Sequence, residues 1–263
     1  MATARSCVVL LSHRLCDATL PRLDSLRDGL AGRMDIVLAL TEPLGRAAAA
    51  CGIVEALVFG RDDLYLPAYG AKAASRRILP GNPDLVLLAV RRARPDHARY
   101  WYIEFDVWFP GGAGVLAELD PRSEADLVVP LRAHPRSSSP KWHHWPSLRI
   151  PPAEAMAEEA QHHTLLCLHR ASGRLLDAAD AAYRRGWAGH FEATLPSIAV
   201  ASGFTIERLN EIARAHRGAP VIDARGFRSN GCEMAEPGLI YHPVKTAAAE
   251  DDLRAGRSVS KKG

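Results

Sequence analysis

Short, continuously apolar runs alternate with helical patterns through the first half of the chain. An apolar run without alternation is expected for a strand that is covered on both faces of its sheet. Leucines at helical spacing follow the first run and end at glycines, and Asn82 and Pro83 are residue types preferred at the start of a second helix. This alternation predicts a mostly parallel α/β sheet that binds ligands at the carboxyl ends of its strands. The predicted strands are 6–12, 34–40, 53–60 and 99–106, and the predicted helices are 19–32 and 82–93.

The second half of the chain is less regular. We expect a loop over 133–147, which is rich in Pro, Ser and aromatic residues, and a disordered polar tail over 251–263. No internal repeat or low-complexity linker divides the remainder, so 1–250 is predicted to form one domain. Further strands are predicted at 124–132 and 164–172, and further helices at 151–163 and 172–186, the last opened by Ser172.

Composition restricts the class of protein without identifying it. The 263 residues are 48% hydrophobic and 24% charged, a globular balance that permits a substantial core. A net charge of +3 is too small to indicate a nucleic-acid-binding protein. Five cysteines without a CxxC pair argue against a disulfide framework or a structural zinc site. No run reaches the about eighteen apolar residues of a membrane span, so we expect a cytoplasmic protein without a transmembrane segment.

The segment RYWYIEFDVWFPGG, residues 99–112, places two carboxylates in an apolar, aromatic run. A buried carboxylate is costly unless it is paired or binds a cation. In an alternating strand Glu104 and Asp106 point to one face and Phe105 to the other, so the pair can hold a divalent cation that prefers oxygen ligands. The alternative is that both carboxylates accept hydrogen bonds from the backbone or from arginines at the strand end.

The element YWYIEFDVWF resembles the metal-binding motif of GT-A-fold glycosyltransferases, which use nucleotide-sugar donors. That family carries Asp-x-Asp, with Glu-x-Asp variants, at the end of a central strand. The resemblance implies that Asp106 binds a metal–diphosphate unit, with Mn²⁺ or Mg²⁺ as the metal, and that Glu104 contacts the ribose or the metal through water. It also implies a single GT-A-like domain with a mostly parallel central sheet flanked by helices, formed of a Rossmann-like nucleotide-binding half and an acceptor-binding half.

Three further segments are similar to this family in their order along the chain. VVLLSHR (8–14) resembles the first strand and the nucleotide-holding loop after it. GHFEATLPSIAVASG (189–203) resembles an acceptor-side GH-x-E segment that is followed by a Pro-Ser helix start. LIYHPVK (239–245) resembles a C-terminal segment that returns to the donor phosphates. The resemblance implies that four residues contact the donor: Ser12, His13, Arg14 and Lys245. It implies that His242 binds the metal or a phosphate.

Glu192 is the candidate general base of a sugar transfer. Inverting transfer needs a group that accepts the proton of the acceptor hydroxyl, and a carboxylate beside an imidazole such as His190 can do so. The alternative is a carboxylate in the first turn of a helix, where it interacts with the helix dipole. In a retaining enzyme Glu192 would position the acceptor instead.

Three other candidates each have a structural alternative. His242 and Lys245 are candidates for binding the donor phosphates. The alternatives are that His242 is packed at a strand end and that Lys245 is simply exposed. Lys72 is either a donor contact or an exposed lysine on a helix.

The KWHHW loop is the candidate acceptor platform, because aromatic rings stack on the apolar faces of sugars and imidazoles hydrogen-bond their hydroxyls. A packed aromatic loop without a ligand is the alternative. Adjacent histidines do not have the usual spacing of zinc ligands, so we do not expect zinc here. The residues of the platform are Trp142, His143, His144 and Trp145.

Together these features predict a glycosyltransferase of the hexosyltransferase class. It would move a sugar from a nucleotide-diphosphate donor to a hydroxyl of a glycan, a lipid-linked or a small-molecule acceptor. Two alternatives stay open: a non-catalytic glycan- or polyanion-binding protein on a degenerate GT-A fold, and a metal-dependent phosphoesterase that uses the same carboxylates. No GxGxxG, GxxxxGK[ST] or GxSxG motif indicates a dinucleotide, P-loop or serine-hydrolase site.

Overall fold

The structure, a computed structural model, describes residues 5–12, 19–41, 56–74, 77–78, 81–222 and 235–245. The predicted tail at 251–263 lies outside the described residues, as do His13 and Arg14. No helix within the described ranges is long and apolar enough to cross a membrane.

The described residues form nine strands, eight helices and five 3-10 turns. The strands are β1 (Ser6–Leu11), β2 (Asp35–Thr41), β3 (Ala56–Phe59), β4 (Arg99–Glu104), β5 (Leu127–Val129), β6 (His134–Pro135), β7 (His162–His163), β8 (Leu168–Ser172) and β9 (Ile206–Arg208). The helices are α1 (Thr19–Leu30), α2 (Arg61–Leu64), α3 (Ala71–Ala74), α4 (Pro83–Ala93), α5 (Gly114–Leu119), α6 (Gly173–Arg185), α7 (Phe191–Ala201) and α8 (Leu209–Arg217). The 3-10 turns are Pro67–Tyr69, Asp120–Arg122, Arg136–Ser138, Trp145–Ser147 and Pro152–Glu154.

Seven strands form one sheet in the order β3-β2-β1-β4-β8-β5-β9. The central strand, β4, is parallel to β1 on one side and antiparallel to β8 on the other. The pairs β3–β2, β2–β1 and β5–β9 are parallel, so β8 runs against the other six strands. The predicted α/β fold class, with a mostly parallel central sheet flanked by helices, is confirmed.

Alternate residues of the central strands pack into different helix layers, as expected for strands that are buried on both faces. In β1, Cys7, Val9 and Leu11 join one buried cluster, to which α4, α6 and α7 contribute. Val8 and Leu10 join a second cluster, to which α1, α5 and α8 contribute. The sheet is therefore buried on both faces, and polar side chains collect at the carboxyl ends of its strands.

The helix predicted over 151–163 is wrong. A 3-10 turn, Pro152–Glu154, is followed by irregular chain up to β7. Apart from its prolines, this segment has Met156 as its only large apolar side chain, so a helix there would have no apolar face to bury. Its Glu154 instead accepts a hydrogen bond from Arg185 at 2.6 Å.

Strands β4, β5 and β8 are shorter than predicted, and β8 comprises Leu168–Ser172 of the predicted 164–172. β4 ends at Glu104, so Phe105 and Asp106 lie in the turn that follows it rather than in the strand. β5 comprises Leu127–Val129 of the predicted 124–132. By contrast, α6 is opened by Ser172 as predicted, since its hydroxyl accepts a hydrogen bond from the Leu175 amide at 3.1 Å.

A buried carboxylate, Asp120, connects the three central strands β1, β4 and β8. It accepts hydrogen bonds from the Ser6 hydroxyl at 2.7 Å and from the Trp101 indole at 2.9 Å. The guanidinium of Arg170, whose side chain is 1% exposed, lies 3.3 Å from the same carboxylate and donates to the Asp120 carbonyl at 2.6 Å. Asp120 therefore compensates a buried positive charge while it joins the strands.

Asp120→Ala is expected to destabilise the protein by about 3 to 5 kcal/mol, because it leaves the buried Arg170 guanidinium without its counter-charge. Denaturant unfolding measures the change. The control Asp24→Ala removes an exposed partner of Arg27 and should change the free energy of unfolding by less than about 0.5 kcal/mol. Equal effects of the two substitutions would contradict the role given to Asp120.

Candidate active site

Two carboxylates meet at the end of the central strand β4. Tyr102 and Glu104 lie on the same face of this strand, and the Tyr102 hydroxyl donates a hydrogen bond to Glu104 at 3.3 Å. The chain then turns, and the Val107 amide donates to the Glu104 carbonyl at 3.0 Å. Asp106 approaches Glu104 through this turn, not through strand alternation as the sequence suggested.

The C-terminal segment brings His242 to these carboxylates. The backbones of Trp108 and Tyr241 exchange two hydrogen bonds of 2.9 Å, which fix the segment beside the turn after β4. Nε2 of His242 lies 3.5 Å from Oδ1 of Asp106 and 3.9 Å from Oε2 of Glu104. Side chains far apart in the sequence thus form one group, the Glu-Asp-His cluster of Glu104, Asp106 and His242.

The Glu-Asp-His cluster fits a divalent cation. One ligand atom from each of its side chains lies within 4.8 Å of the others, and the described part of the chain has no second such group. Oδ1 of Asp106 is buried and accepts no hydrogen bond from a described residue, so it has lone pairs available for an ion. Carboxylate oxygens suit Mg²⁺ or Mn²⁺, and the imidazole favours the transition metal of the two.

Carboxyl groups are concentrated at this edge of the sheet. Burial, then the Asp106 carboxylate and then the Glu192 carboxylate, raise the pKa of Glu104 to about 8. Burial also lowers the pKa of His242, although the Asp106 charge acts in the opposite direction. A cation would offset both the repulsion between the carboxylates and the cost of burying them.

Glu192 supplies the third carboxylate, from the first turn of α7. One of its oxygens accepts a hydrogen bond from the Leu166 amide at 3.2 Å, and burial raises the pKa of Glu192 to about 7. The residue after Leu166, Cys167, lies beside β4, because its carbonyl accepts a hydrogen bond from the Glu104 amide at 2.9 Å. Burial first, and then the charges of Glu104, Asp106 and Glu192, raise the pKa of the Cys167 thiol. Glu192 therefore belongs to the same site as the cluster.

His190 caps the helix that carries Glu192. Its Nδ1 accepts a hydrogen bond from the Glu192 amide at 3.4 Å and lies 3.8 Å from a Glu192 carboxylate oxygen. Burial, and after it the nearby His144 and Lys72, lower the pKa of His190 to about 3, so its ring is neutral. The predicted helix start at the Pro-Ser pair is wrong: α7 begins earlier, and Pro196 lies inside it.

Lys72 is buried, with 1% of the residue exposed, so the alternative of an exposed lysine is excluded. Its ammonium lies 2.8 Å from the Asp84 carboxylate and donates to the Gly189 carbonyl at 2.9 Å. The Tyr183 hydroxyl donates to the same carboxylate. Asp84 was not predicted as a site residue, because a carboxylate in the first turn of a helix is expected on helix-dipole grounds alone.

The KWHHW loop is packed against its neighbours. Trp145 is buried, so its ring faces protein rather than solvent. Trp142 stacks on His163 with ring centroids 4.4 Å apart. His144 stacks on His190 at 3.9 Å, which joins the loop to the start of α7. Trp142, His143 and His144 are only partly buried or exposed, so their prediction as acceptor contacts stays open.

A cavity of about 490 Å³ opens between this loop, α3 and the start of α7, and we call it the basic cavity. Its two arginines, Arg77 and Arg149, were not predicted as site residues. No short motif would have revealed either, because the cavity is assembled from three separate segments. Its described polar lining consists of Lys72, Arg77, Asn82, His144, Ser147, Arg149 and His190.

The described donor candidates lie near the cluster. Ser12 directly follows β1, whose last residue pairs with Glu104 of β4, so Ser12 lies at the same edge of the sheet. The Ser12 hydroxyl is 3.3 Å from that of Thr19. Lys245 is exposed, and its charge contributes to the lowered pKa of His242.

Comparison with known proteins gives distant structural likenesses only. No protein-family model and no curated protein matches the sequence. The structure is similar to that of a mycobacterial protein at 14% identity and a TM-score of 0.45, over 85% of this chain and 78% of that one. It is also similar to glucosyl-3-phosphoglycerate synthase from Mycobacterium tuberculosis, solved in complex with uridine diphosphate, at 15% identity and a TM-score of 0.42, over 79% of this chain and 70% of that one. At these TM-scores neither likeness carries an argument about the ligands or activity of this chain.

Proposed function

We propose that the protein is a metal-assisted glycosyltransferase that moves a hexose from a nucleotide-diphosphate donor to an acceptor hydroxyl. The observation that carries the proposal is the meeting of Glu104, Asp106 and His242 at the carboxyl edge of the sheet, with Glu192 beside them. Ligands of open α/β sheets bind at this edge. The resemblance of YWYIEFDVWF to the GT-A motif supports the same assignment.

Asp106, Glu104 and His242 are the proposed ligands of one Mn²⁺ or Mg²⁺ ion. Bound there, the ion would supply Lewis-acid stabilisation of the charge that develops on the leaving nucleotide diphosphate. Asp106 is the principal ligand, because its buried Oδ1 has no hydrogen-bond partner among the described residues. The hydrogen bond from Tyr102 restricts the Glu104 side chain, which leaves its second oxygen directed to the cluster.

Glu192 is the proposed general base. A proton acceptor is most effective when its pKa lies near the working pH, and burial raises the pKa of Glu192 to about 7. The Leu166 amide holds one carboxylate oxygen, and His190 fixes the first turn of the helix. His190 is neutral and acts through Glu192, so we regard it as a positioning residue.

The donor would lie across the ends of β1 and β4. Ser12 is placed there, and the exposed Lys245 follows His242 closely enough to neutralise part of the diphosphate charge. Lys72 is better assigned to the acceptor side than to the donor, because its ammonium is held by Asp84 and lines the basic cavity.

Nucleotide sugars of one base are expected to raise the melting temperature only when Mn²⁺ is present. A ligand at a hundredfold excess over its Kd stabilises the native state by about 2.7 kcal/mol. Thermal unfolding with UDP, GDP, CMP and dTDP sugars, each with and without Mn²⁺, measures the effect. Asp106→Ala should abolish it, whereas Asp96→Ala, an exposed carboxylate in the turn before β4, should preserve it.

Two results would contradict the donor site. One is a cooperative melting transition that no nucleotide sugar shifts. The other is Mn²⁺-dependent stabilisation that persists in Asp106→Ala.

Glu192→Gln is expected to lower donor turnover by about 10²- to 10⁴-fold, because glutamine keeps the shape of the side chain but cannot accept the proton. Nucleotide release from the stabilising donor, measured alone and with a mixture of acceptors, provides the rate. The exposed Glu118→Gln is the matched control and should turn over at the wild-type rate. Wild-type turnover by Glu192→Gln would exclude the base role, and phosphate release without sugar transfer would favour the phosphoesterase alternative.

A further inference from the structure

We propose that the basic cavity binds an anionic group, a phosphate or a carboxylate, between Arg77 and Arg149, and that this group belongs to the acceptor. The assignment to an acceptor rests on the proposed function, whereas the anion site itself does not.

The charge of the basic cavity is unbalanced. Its described lining carries three cationic side chains and no carboxylate. The charge of Lys72 is compensated by Asp84 at 2.8 Å. Arg77 and Arg149 are exposed, and neither forms an ion pair with a described residue. Two guanidinium groups are therefore available to a ligand, and each can present paired N–H donors to a phosphate or a carboxylate.

The backbone of Arg149 is held against the start of α7. Arg149 and Ala188 exchange backbone hydrogen bonds of 2.8 and 3.1 Å. The approach requires a glycine at position 189, because a Cβ on Gly189 would lie 2.7 Å from the Ser147 carbonyl oxygen and its φ is +129°. The Ser147 hydroxyl also accepts a hydrogen bond from the His190 amide at 3.0 Å. Arg149 thus extends from a fixed wall of the cavity.

The opposite wall is fixed by the start of α4. The Asn82 side-chain amide donates to the Arg77 carbonyl at 2.8 Å, and the Asn82 backbone amide donates to the Ile78 carbonyl at 2.8 Å. Gly81 accepts a hydrogen bond from the Phe191 amide at 2.8 Å, which joins this wall to α7. Because both arginines are anchored through their backbones, ordering them around an anion costs mainly side-chain entropy.

The cavity lies next to the proposed base. His190 lines it and also caps the helix turn that carries Glu192. An acceptor held by its anionic group would therefore place the rest of the molecule beside the Glu192 carboxylate. A volume of about 490 Å³ is that of a pocket for a small molecule, so we favour a small anionic metabolite among the acceptor classes.

Calorimetric titration of the full chain, without metal or nucleotide, tests the site. The probes are inorganic phosphate, glycerol 3-phosphate, glycerate and, as a neutral control, glycerol. We expect at least one of the anions to bind and glycerol not to bind, with an affinity that falls as salt is added. Arg77→Ala and Arg149→Ala should each weaken binding at least about tenfold, because each removes charge-assisted hydrogen bonds to the anion. Arg122→Ala, an exposed arginine after α5, should bind as the wild type does.

Preference for the phosphate ester or for glycerate identifies the anionic group, and either supports the proposal. The absence of binding by every anion would overturn it, as would wild-type binding by both arginine variants. Binding that is lost in Asp106→Ala would place the anion at the donor site and would also overturn it. Anion binding without any stabilisation by nucleotide sugars would contradict the proposed transferase function but not the anion site. Stabilisation by a nucleotide sugar without anion binding would contradict the anion site but not the transferase function.

Discussion

Burial of negative charge at the end of β4 is the constraint on which the site depends. Both faces of the sheet are covered by helices, so the carboxyl edge is where polar side chains gather. Glu104, Asp106 and Glu192 converge there, and their mutual repulsion and burial are unfavourable without a compensating charge. His242 brings a nitrogen ligand but little charge, because burial lowers its pKa. A divalent cation is the simplest group that balances this arrangement.

The first turn of α7 connects the two halves of the proposed site. Glu192 points from this turn toward the carboxylates, while His190, its cap, lines the basic cavity. The regions have opposite charge: the cluster is acidic and attracts a cation, and the cavity is basic and attracts an anion. Lys72 and Asp84 are buried beside this turn as a pair, which lets the cavity keep Lys72 without an isolated buried charge. A donor and an acceptor bound to the two regions would meet at Glu192.

Local patterns predict the sheet and the motif, because apolar runs and the Ser172 cap report burial and capping directly. They fail where tertiary contacts decide. The 151–163 segment has helical composition but no apolar face, and Glu154 is bound by Arg185 instead. The residue type of Trp145 does not show that this side chain is buried. Arg149 is placed in the wall of the cavity only through its backbone pairing with Ala188. Charges brought together by three segments leave no signature in any one of them.

Manganese binding to the protein without nucleotide tests the central claim most directly. Electron paramagnetic resonance counts free Mn²⁺ during a titration and needs no substrate. The account predicts one site per chain that is lost in Asp106→Asn, a substitution that keeps the shape of the side chain and removes its charge. Failure of the wild-type protein to bind Mn²⁺, or unchanged binding in Asp106→Asn, would contradict it.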